Sequence, residues 1–150
     1  MATASAILTH PAGQPGELAV HPPGDEGWLT PEQVAALTPE GVREATRALQ
    51  PLIAERAADS ERLGYPHPEV WEAIRATGFF YHFVPKAYGG CEFGPEDFFL
   101  TANLISQACA STGWAATFCC EHNWAGALWP KEAQDKLFAG GRYFIAPLVS

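Results

Sequence analysis

The stretch 111–124, STGWAATFCCEHNW, constrains the fold of this chain more than any other. A helix start signal at Thr112 opens onto residues that are apolar on every side of a helix, and only Glu121, His122 and Asn123 interrupt them. A helix that is apolar all round is expected to be buried, and a polar group buried without a partner costs about 1–3 kcal/mol. The polar side chains therefore need partners from the protein, from water or from a ligand. With a ligand as the partner, this helix forms a pocket wall.

The composition is that of one globular domain, because 150 residues of which 47% are hydrophobic can bury a core. Nine Lys and Arg against 17 Asp and Glu give a net charge of −8, which disfavours nucleic acid and anionic membrane surfaces as partners. No Lys or Arg precedes Arg43, so the basic start of a secretory signal is missing. No apolar run approaches membrane-spanning length. We expect a cytoplasmic protein.

The cysteines favour packing over metal binding. Cys91, Cys109, Cys119 and Cys120 form no C-x-x-C pair, and no histidine stands at zinc-ligand spacing from two of them. A free cysteine in an apolar helix behaves as a small buried hydrophobe. We therefore expect no metal site.

Start and stop signals predict an all-α domain of five to six helices. Thr30 and Thr38 each precede Pro-Glu, which is typical of a capped first turn with proline at the first helical position. They predict helices over 30–37 and 38–63, and Pro51 predicts a kink or a break in the second. Further helices are expected over 68–77, ending at a left-handed Gly78, and over 94–110, 112–129 and 131–138.

The remaining segments are expected to be non-helical. Residues 1–28, rich in proline, glycine and alanine, are expected to form a disordered leader. The aromatic run 79–84 predicts an extended, buried connection. Residues 142–149 are rich in β-branched and aromatic side chains and predict a strand, although no partner strand precedes it. The expected organisation is thus a helical domain over 29–141, followed by the start of a truncated β domain over 142–150.

His122 is the strongest candidate for a residue that acts chemically on a ligand. Its spacing from Trp114, Phe118 and Trp129 places all four on one helix face, where an imidazole among aromatic rings suits a flat ligand with an ionisable hydroxyl. A core or interface histidine bonded to a backbone carbonyl remains the alternative, because buried polar groups usually find protein partners. His82, within the aromatic run, is predicted to have a structural role.

Four motifs follow one another along residues 43–150: PxxYGG at 85–90, STGW at 111–114, HNW at 122–124 and EAQ at 132–134. This order resembles the N-terminal helical domain of the acyl-CoA dehydrogenase superfamily. Trp114 and the HNW triplet are more specific, and they are similar to the flavin-dependent, two-component (group D) monooxygenase branch. The oxygenase components of that branch act on hydroxyphenylacetate or on secosteroid phenols.

The resemblance implies a function, a cofactor and partners. The implied reaction is hydroxylation of an aromatic or phenolic substrate with O2 and reduced FMN or FAD, supplied by a separate flavin reductase. Subunits of the family have three domains and typically form tetramers, and their flavin is bound mainly by the domains that follow the helical one. The resemblance implies His122 as the catalytic residue, with Trp114, Phe118 and Trp124 as substrate-binding neighbours. It assigns no cofactor-binding residue.

Two other interpretations stay open: an acyl-CoA dehydrogenase-like flavin oxidoreductase, and a helical interaction or assembly module without chemistry of its own. Trp114 and His122 argue against the dehydrogenase, because a fatty-acyl channel gains little from an imidazole among indoles. No Ser-His-Asp arrangement, carboxylate pair or glycine-rich nucleotide loop can be assembled from the chain. We therefore expect these 150 residues alone to be inactive as an enzyme.

Overall fold

The computed structural model describes residues 28–145, and all regular secondary structure in this range is helical. Two 3₁₀ helices, Phe79–Tyr81 and Lys86–Tyr88, connect the fourth α-helix to the fifth. None of the helices in the described range is long and apolar enough to cross a membrane. The α-helices are α1 (Pro31–Ala35), α2 (Pro39–Glu55), α3 (Ala57–Leu63), α4 (Pro68–Ala76), α5 (Pro95–Ala108), α6 (Ala110–Ala127) and α7 (Lys131–Leu137).

The all-α prediction is confirmed, although the described residues form seven helices rather than five or six. The predicted leader lies outside the described residues except for Trp28, whose ring packs on Tyr143 with centroids 4.5 Å apart. Among the described residues, packing therefore begins at Trp28.

The two Thr-Pro-Glu signals start helices as predicted. Thr30 Oγ1 accepts a hydrogen bond from the backbone N–H of Gln33 at 3.2 Å, and Gln33 Oε1 accepts one from the N–H of Thr30 at 2.7 Å. Thr38 Oγ1 accepts from the N–H of Gly41 at 3.0 Å. These bonds satisfy N–H groups that have no partner within the helix.

The long helix predicted over 38–63 is interrupted at Arg56. Of the kink or break predicted at Pro51, the break is wrong, because α2 runs through Pro51 to Glu55, and the kink stays a prediction. Pro51 is exposed within α2, so its ring faces solvent and the helix continues past the missing N–H. Arg56 leaves the helical region at φ −89° and ψ 2°. Its carbonyl then accepts from the N–H of Ser60 at 2.9 Å and from its hydroxyl at 3.0 Å, which starts α3. This interruption accounts for the seventh helix.

The extended conformation predicted for the aromatic run 79–84 is also wrong, because the run begins as a 3₁₀ helix. Gly78 precedes it at φ 84°, the left-handed conformation expected at that position. An extended chain would place these bulky side chains on only two faces, whereas about three residues per turn distribute them around the axis. Phe79, Phe80 and Tyr81 are accordingly all buried.

The core is built around this aromatic run. α2 packs on α5 and α5 packs on α6, and the run lies between these helices and α4. Phe79 stacks on Phe98 of α5 with centroids 5.7 Å apart, and Phe80 meets Trp71 of α4 at 5.0 Å. The run therefore packs against α4, α5 and α6.

His82 has the structural role that was predicted for it. Its Nε2 lies 2.9 Å from the carbonyl oxygen of Gly94, and its ring contacts Phe83, Phe93 and Phe98. Burial lowers the pKa of His82, partly offset by the bond to Gly94. The imidazole is therefore held neutral in the core.

The strand predicted over 142–149 is absent from residues 142–145, and its remaining residues lie outside the described range. A strand needs a neighbour to bond its backbone, and in this segment Phe144 bonds instead to the side chain of Asn123 on α6. Residues 142–145, which we call the exit segment, therefore have an irregular conformation, with Tyr143 buried.

We predict that the free energy of unfolding decreases as the pH is lowered below the ordinary pKa of histidine, about 6.5. Because the pKa of His82 is lowered in the folded state, the unfolded chain binds the proton first as pH falls. The contribution is fully present above about pH 6.5 and is lost below it. Urea unfolding between about pH 5 and pH 8 should show this slope, and His82→Phe should flatten it while lowering absolute stability. An equal slope in His82→Phe would assign the effect to other groups.

We predict that Gly113→Ala destabilises the fold. An added Cβ would lie 2.2 Å from Ser106 Oγ and 2.7 Å from Ser106 Cα, so α5 and α6 would have to separate. Overpacking of this kind costs about 1–3 kcal/mol, which exceeds the gain of up to about 1 kcal/mol in helix propensity. The measurement is the urea midpoint of each protein.

Asn103→Gln is the control for this prediction. It also adds a single carbon, but at an exposed position of α5. The free energy of unfolding should therefore change by less than about 0.5 kcal/mol. Equal urea midpoints for Gly113→Ala and Asn103→Gln would contradict the prediction.

Candidate functional site

α6 presents one face to the core and leaves the other in solvent, contrary to the expectation that it is buried all round. The core face carries Ala116, Cys120 and Asn123, all fully buried. The outer face is nevertheless apolar, and no described residue covers it. Its largest exposed side chains are Trp114 (71% exposed) and Trp124 (56%), and Leu128 (69%) and Trp129 (44%) are exposed just beyond the end of the helix. The prediction that Trp129 shares a helix face with His122 is wrong, because α6 ends at Ala127.

Three contacts fix the position of α6. Because Gly113 has no side chain, the N-terminal turn of α6 can approach the backbone of Ser106 on α5 closely. In the middle, the thiol of Cys120 donates to the carbonyl oxygen of Phe79 at 3.4 Å. At the C-terminal end, Gln134 Nε2 donates to the carbonyl oxygens of Ala127 at 3.0 Å and of Trp129 at 2.7 Å. These contacts therefore fix the position of the side chains on the outer face of α6.

Trp114, Phe118 and His122 form a continuous row along one edge of that face. The rings of Trp114 and Phe118 are stacked, with centroids 5.8 Å apart and planes at 17°. The edge of Phe118 meets His122 with centroids 4.5 Å apart and planes at 84°. The structure thus brings together three of the four site residues predicted from the sequence, and we call them the α6 row.

His122 ends the row at the boundary between core and solvent. It is 8% exposed, and its Nδ1 is buried without a hydrogen-bond partner among the described residues. Nearly all buried polar atoms are hydrogen-bonded, so this nitrogen is available to a partner outside the described residues. The Nδ1 of His82 is also unpartnered among these residues, but His82 is held through Nε2 by Gly94. An imidazole nitrogen can accept a proton from a hydroxyl or donate one to an anionic oxygen. The α6 row therefore suits a flat ligand that carries a hydroxyl.

Trp124 lies apart from the row. Two residues from His122 correspond to about 160° around a helix, so Trp124 leaves the opposite edge of the outer face. It is 56% exposed and takes part in none of the ring contacts among the described residues. Its assignment as a substrate-binding residue stays a prediction.

Sequence reasoning missed the role of Asn123. Its Nδ2 donates to the carbonyl oxygen of Phe144 at 3.1 Å, and its Oδ1 accepts from the N–H of Phe144 at 3.0 Å. The same amide donates to the carbonyl oxygen of Cys119 at 3.2 Å. The available signal was its helix position, which places it on the face shared with Cys119 and Ala116 rather than on the outer face.

The buried Arg75 and Tyr143 form a second polar contact that the sequence did not reveal. Arg75 Nε donates to Tyr143 Oη at 2.7 Å, and its Nη1 pairs with Glu72 at 2.7 and 2.9 Å. Burial raises the pKa of Tyr143 despite the guanidinium. The contact joins α4 to the exit segment.

The charges near the α6 row limit what it can bind. α6 contains no Lys or Arg, and its one acidic residue, Glu121, is exposed. The face therefore fits the flat ring of a flavin or an aromatic substrate, but it supplies no cation for a flavin phosphate. Burial raises the pKa of Cys119 to about 11 and that of Cys120 well above its usual range, so neither thiol is an activated nucleophile.

The chain is similar to oxygenase components of hydroxylating enzymes. The chain is 35% identical over 91 residues to the oxygenase subunit HsaA of a flavin-dependent monooxygenase from Rhodococcus jostii, covering 61% of this chain and 24% of the relative. It is 32% identical over 95 residues to the oxygenase component of p-hydroxyphenylacetate 3-hydroxylase from Acinetobacter baumannii, covering 63% and 22%. It is 43% identical over 63 residues to the oxygenase component of an FADH2-dependent resorcinol hydroxylase from a Rhizobium species, covering 41% and 15%.

The chain spans about a quarter, or less, of the length of these curated relatives. No solved structure gives a significant match. Residues 38–136 match the family described as acyl-CoA dehydrogenase, N-terminal domain, and this range extends from α2 through the α6 row into α7. The chain therefore belongs to the acyl-CoA dehydrogenase family through its N-terminal helical domain.

Proposed function

We propose that this chain is the N-terminal part of the oxygenase component of a flavin-dependent monooxygenase that hydroxylates an aromatic or phenolic substrate. The observation that carries the proposal is the α6 row, in which the buried Nδ1 of His122, unpartnered among the described residues, ends a line of aromatic rings. The relatives support it, because the three described above are named as oxygenase components of flavin-dependent or aromatic hydroxylating enzymes.

The cofactor would be reduced FMN or FAD from a separate flavin reductase. When bound, the reduced flavin supplies two electrons, with which one atom of O2 becomes the new ring hydroxyl and the other leaves as water. The α6 face fits the ring system, whereas the flavin phosphate would be held outside the described residues. We also propose a homo-oligomer, a tetramer as in the family, with a cytoplasmic location.

His122 would act on the phenol of the substrate. No described residue bonds Nδ1, so turning the ring about its Cβ–Cγ bond to present a nitrogen to the ligand breaks no hydrogen bond at that atom. The imidazole then takes the proton from the phenol oxygen, which makes the ring carbons beside that oxygen richer in electrons. General-base assistance of this kind contributes about 10²–10⁴ in rate. Trp114 and Phe118 would form the wall for the ring, with Trp124 as a further neighbour.

A helical assembly module is the second candidate function, because Trp124 on α6 and Leu128 and Trp129 just after its end are exposed. Apolar patches of this kind mark contacts with other protein surfaces. An assembly surface alone does not require an imidazole in line with the stacked rings of Trp114 and Phe118, and we therefore rank it second. A flavin-dependent dehydrogenase of thioesters ranks third for the same reason.

We predict that His122→Asn in the full gene product separates hydroxylation from flavin oxidation. Without the base, product formed per reduced flavin should fall by about 10²-fold or more, while reduced flavin still reacts with O2 and releases hydrogen peroxide. The measurement is product and peroxide per reduced flavin consumed, across a range of pH.

His82→Asn is the matched control for this test. His82 is also buried, and its Nδ1 also has no partner among the described residues, but its Nε2 is bonded to Gly94 within the core. The control should lower stability and leave product per reduced flavin unchanged at temperatures where the protein is folded. If His122→Asn behaves like this control, the imidazole of His122 is a packing residue and the proposed function is wrong.

We predict that the isolated 150-residue chain binds free FMN or FAD weakly or not at all. The outer face of α6 offers aromatic rings but no cation for a phosphate, and phosphate recognition usually depends on charged or oriented N–H donors. Titration of the chain into flavin, followed by fluorescence, checks this, with the full gene product as the positive control. Tight stoichiometric binding to the isolated chain would refute it.

A further inference from the structure

We infer that Asn123 is a positioning residue that sets the turn of α6 carrying His122 relative to residues 143–145; the inference rests on the proposed function. The two residues are neighbours on α6, and their side chains point about 100° apart. His122 reaches the α6 row, whereas Asn123 is fully buried on the core side. One turn of α6 therefore carries both the proposed base, His122, and the side chain that bonds to the exit segment, Asn123.

The side chain of Asn123 replaces a neighbouring strand for Phe144. Both backbone polar groups of Phe144 are satisfied by this one amide, through bonds of 3.1 Å from Nδ2 and 3.0 Å to Oδ1. A reciprocal pair of bonds fixes direction as well as distance, as the ladder of an antiparallel pair does. The backbone at residue 144 is thus tied to the turn of α6 that carries His122.

The side chains of Tyr143 and Phe144 strengthen this contact. The ring of Phe144 lies against Gly126, where an added Cβ would be 2.8 Å from Cε1 of the ring. Tyr143 is buried elsewhere in the core, where its hydroxyl accepts from Arg75. Residues 143 and 144 are therefore both anchored.

No other side chain would keep both bonds at this position. Aspartate retains the acceptor for the N–H of Phe144 but loses the donor and places a carboxylate beside the carbonyl oxygens of Phe144 and Cys119. Leucine has a similar volume and removes every bond. Glutamine carries the amide one carbon farther, in a site with no exposed area. The requirement is for an amide on a short side chain.

The functional consequence follows from the tolerance of catalytic geometry. A displacement of about 1 Å can cost about 10² in rate. Under the proposed function, the substrate lies against His122, so a shift of the turn of α6 that carries His122 moves the base relative to the substrate. Loosening the contact between Asn123 and Phe144 should therefore let reduced flavin react with O2 without hydroxylating the substrate.

The test compares Asn123→Leu with Ile53→Ala in the full gene product. Ile53 is buried on α2, which packs on α5 and α4, so this control lowers stability without touching the exit segment. Hydrogen exchange of a peptide covering residues 143–145, measured without flavin, should quicken by about tenfold or more in Asn123→Leu only. Product per reduced flavin should fall at least about threefold in the same variant and stay within about twofold of wild type in the control.

The outcomes separate the two proposals. If Asn123→Leu keeps its product per reduced flavin while His122→Asn loses it, the inference is overturned and the proposed function stands. If His122→Asn has no effect, both fall. If Asn123→Leu does not fold, Gly126→Ala decides, because its methyl group must displace the ring of Phe144 with Asn123 intact. A loss of product per reduced flavin in Gly126→Ala supports the inference, and unchanged product overturns it.

Discussion

The need to bury the aromatic run 79–84 on all sides governs the rest of this structure. Its carbonyl groups must also be satisfied away from water, and nearby backbone does this: Cys91 donates to Tyr81 at 3.2 Å and Phe93 donates to His82 at 2.8 Å. The side chains then meet α4, α5, α6 and the exit segment. The run is therefore the contact that these elements share.

α6 is held in part by that run, through the bond from Cys120 to the carbonyl oxygen of Phe79, and it divides the HNW triplet among three environments. Asn123 faces the core, His122 lies at the boundary and Trp124 faces solvent. A helix turns by about 100° per residue, so three consecutive residues can hold a structural bond, a chemical group and an exposed contact at once. One helical turn therefore places three consecutive side chains in three different environments.

Local signals predicted most of the helices, and long-range contacts explain what the sequence could not give. The Thr-Pro-Glu starts and the left-handed Gly78 act within a few residues, so they can be recognised from the sequence. The break at Arg56 rather than at Pro51 depends on which side of α2 meets the core. The α6 row followed from four-residue spacing, whereas the role of Asn123 depends on Phe144, 21 residues away.

The two buried histidines show why burial alone does not assign a role. In both His82 and His122, Nδ1 has no partner among the described residues. The ring of His82 is enclosed by three phenylalanines and anchored through Nε2 to Gly94, so neither a ligand nor a proton reaches it while the core is intact. His122 has one aromatic neighbour within the described range, Phe118, and stands at the rim of an exposed apolar face. Since the chemistry of an imidazole requires access as well as an available nitrogen, only His122 of this pair is placed to act on a bound molecule.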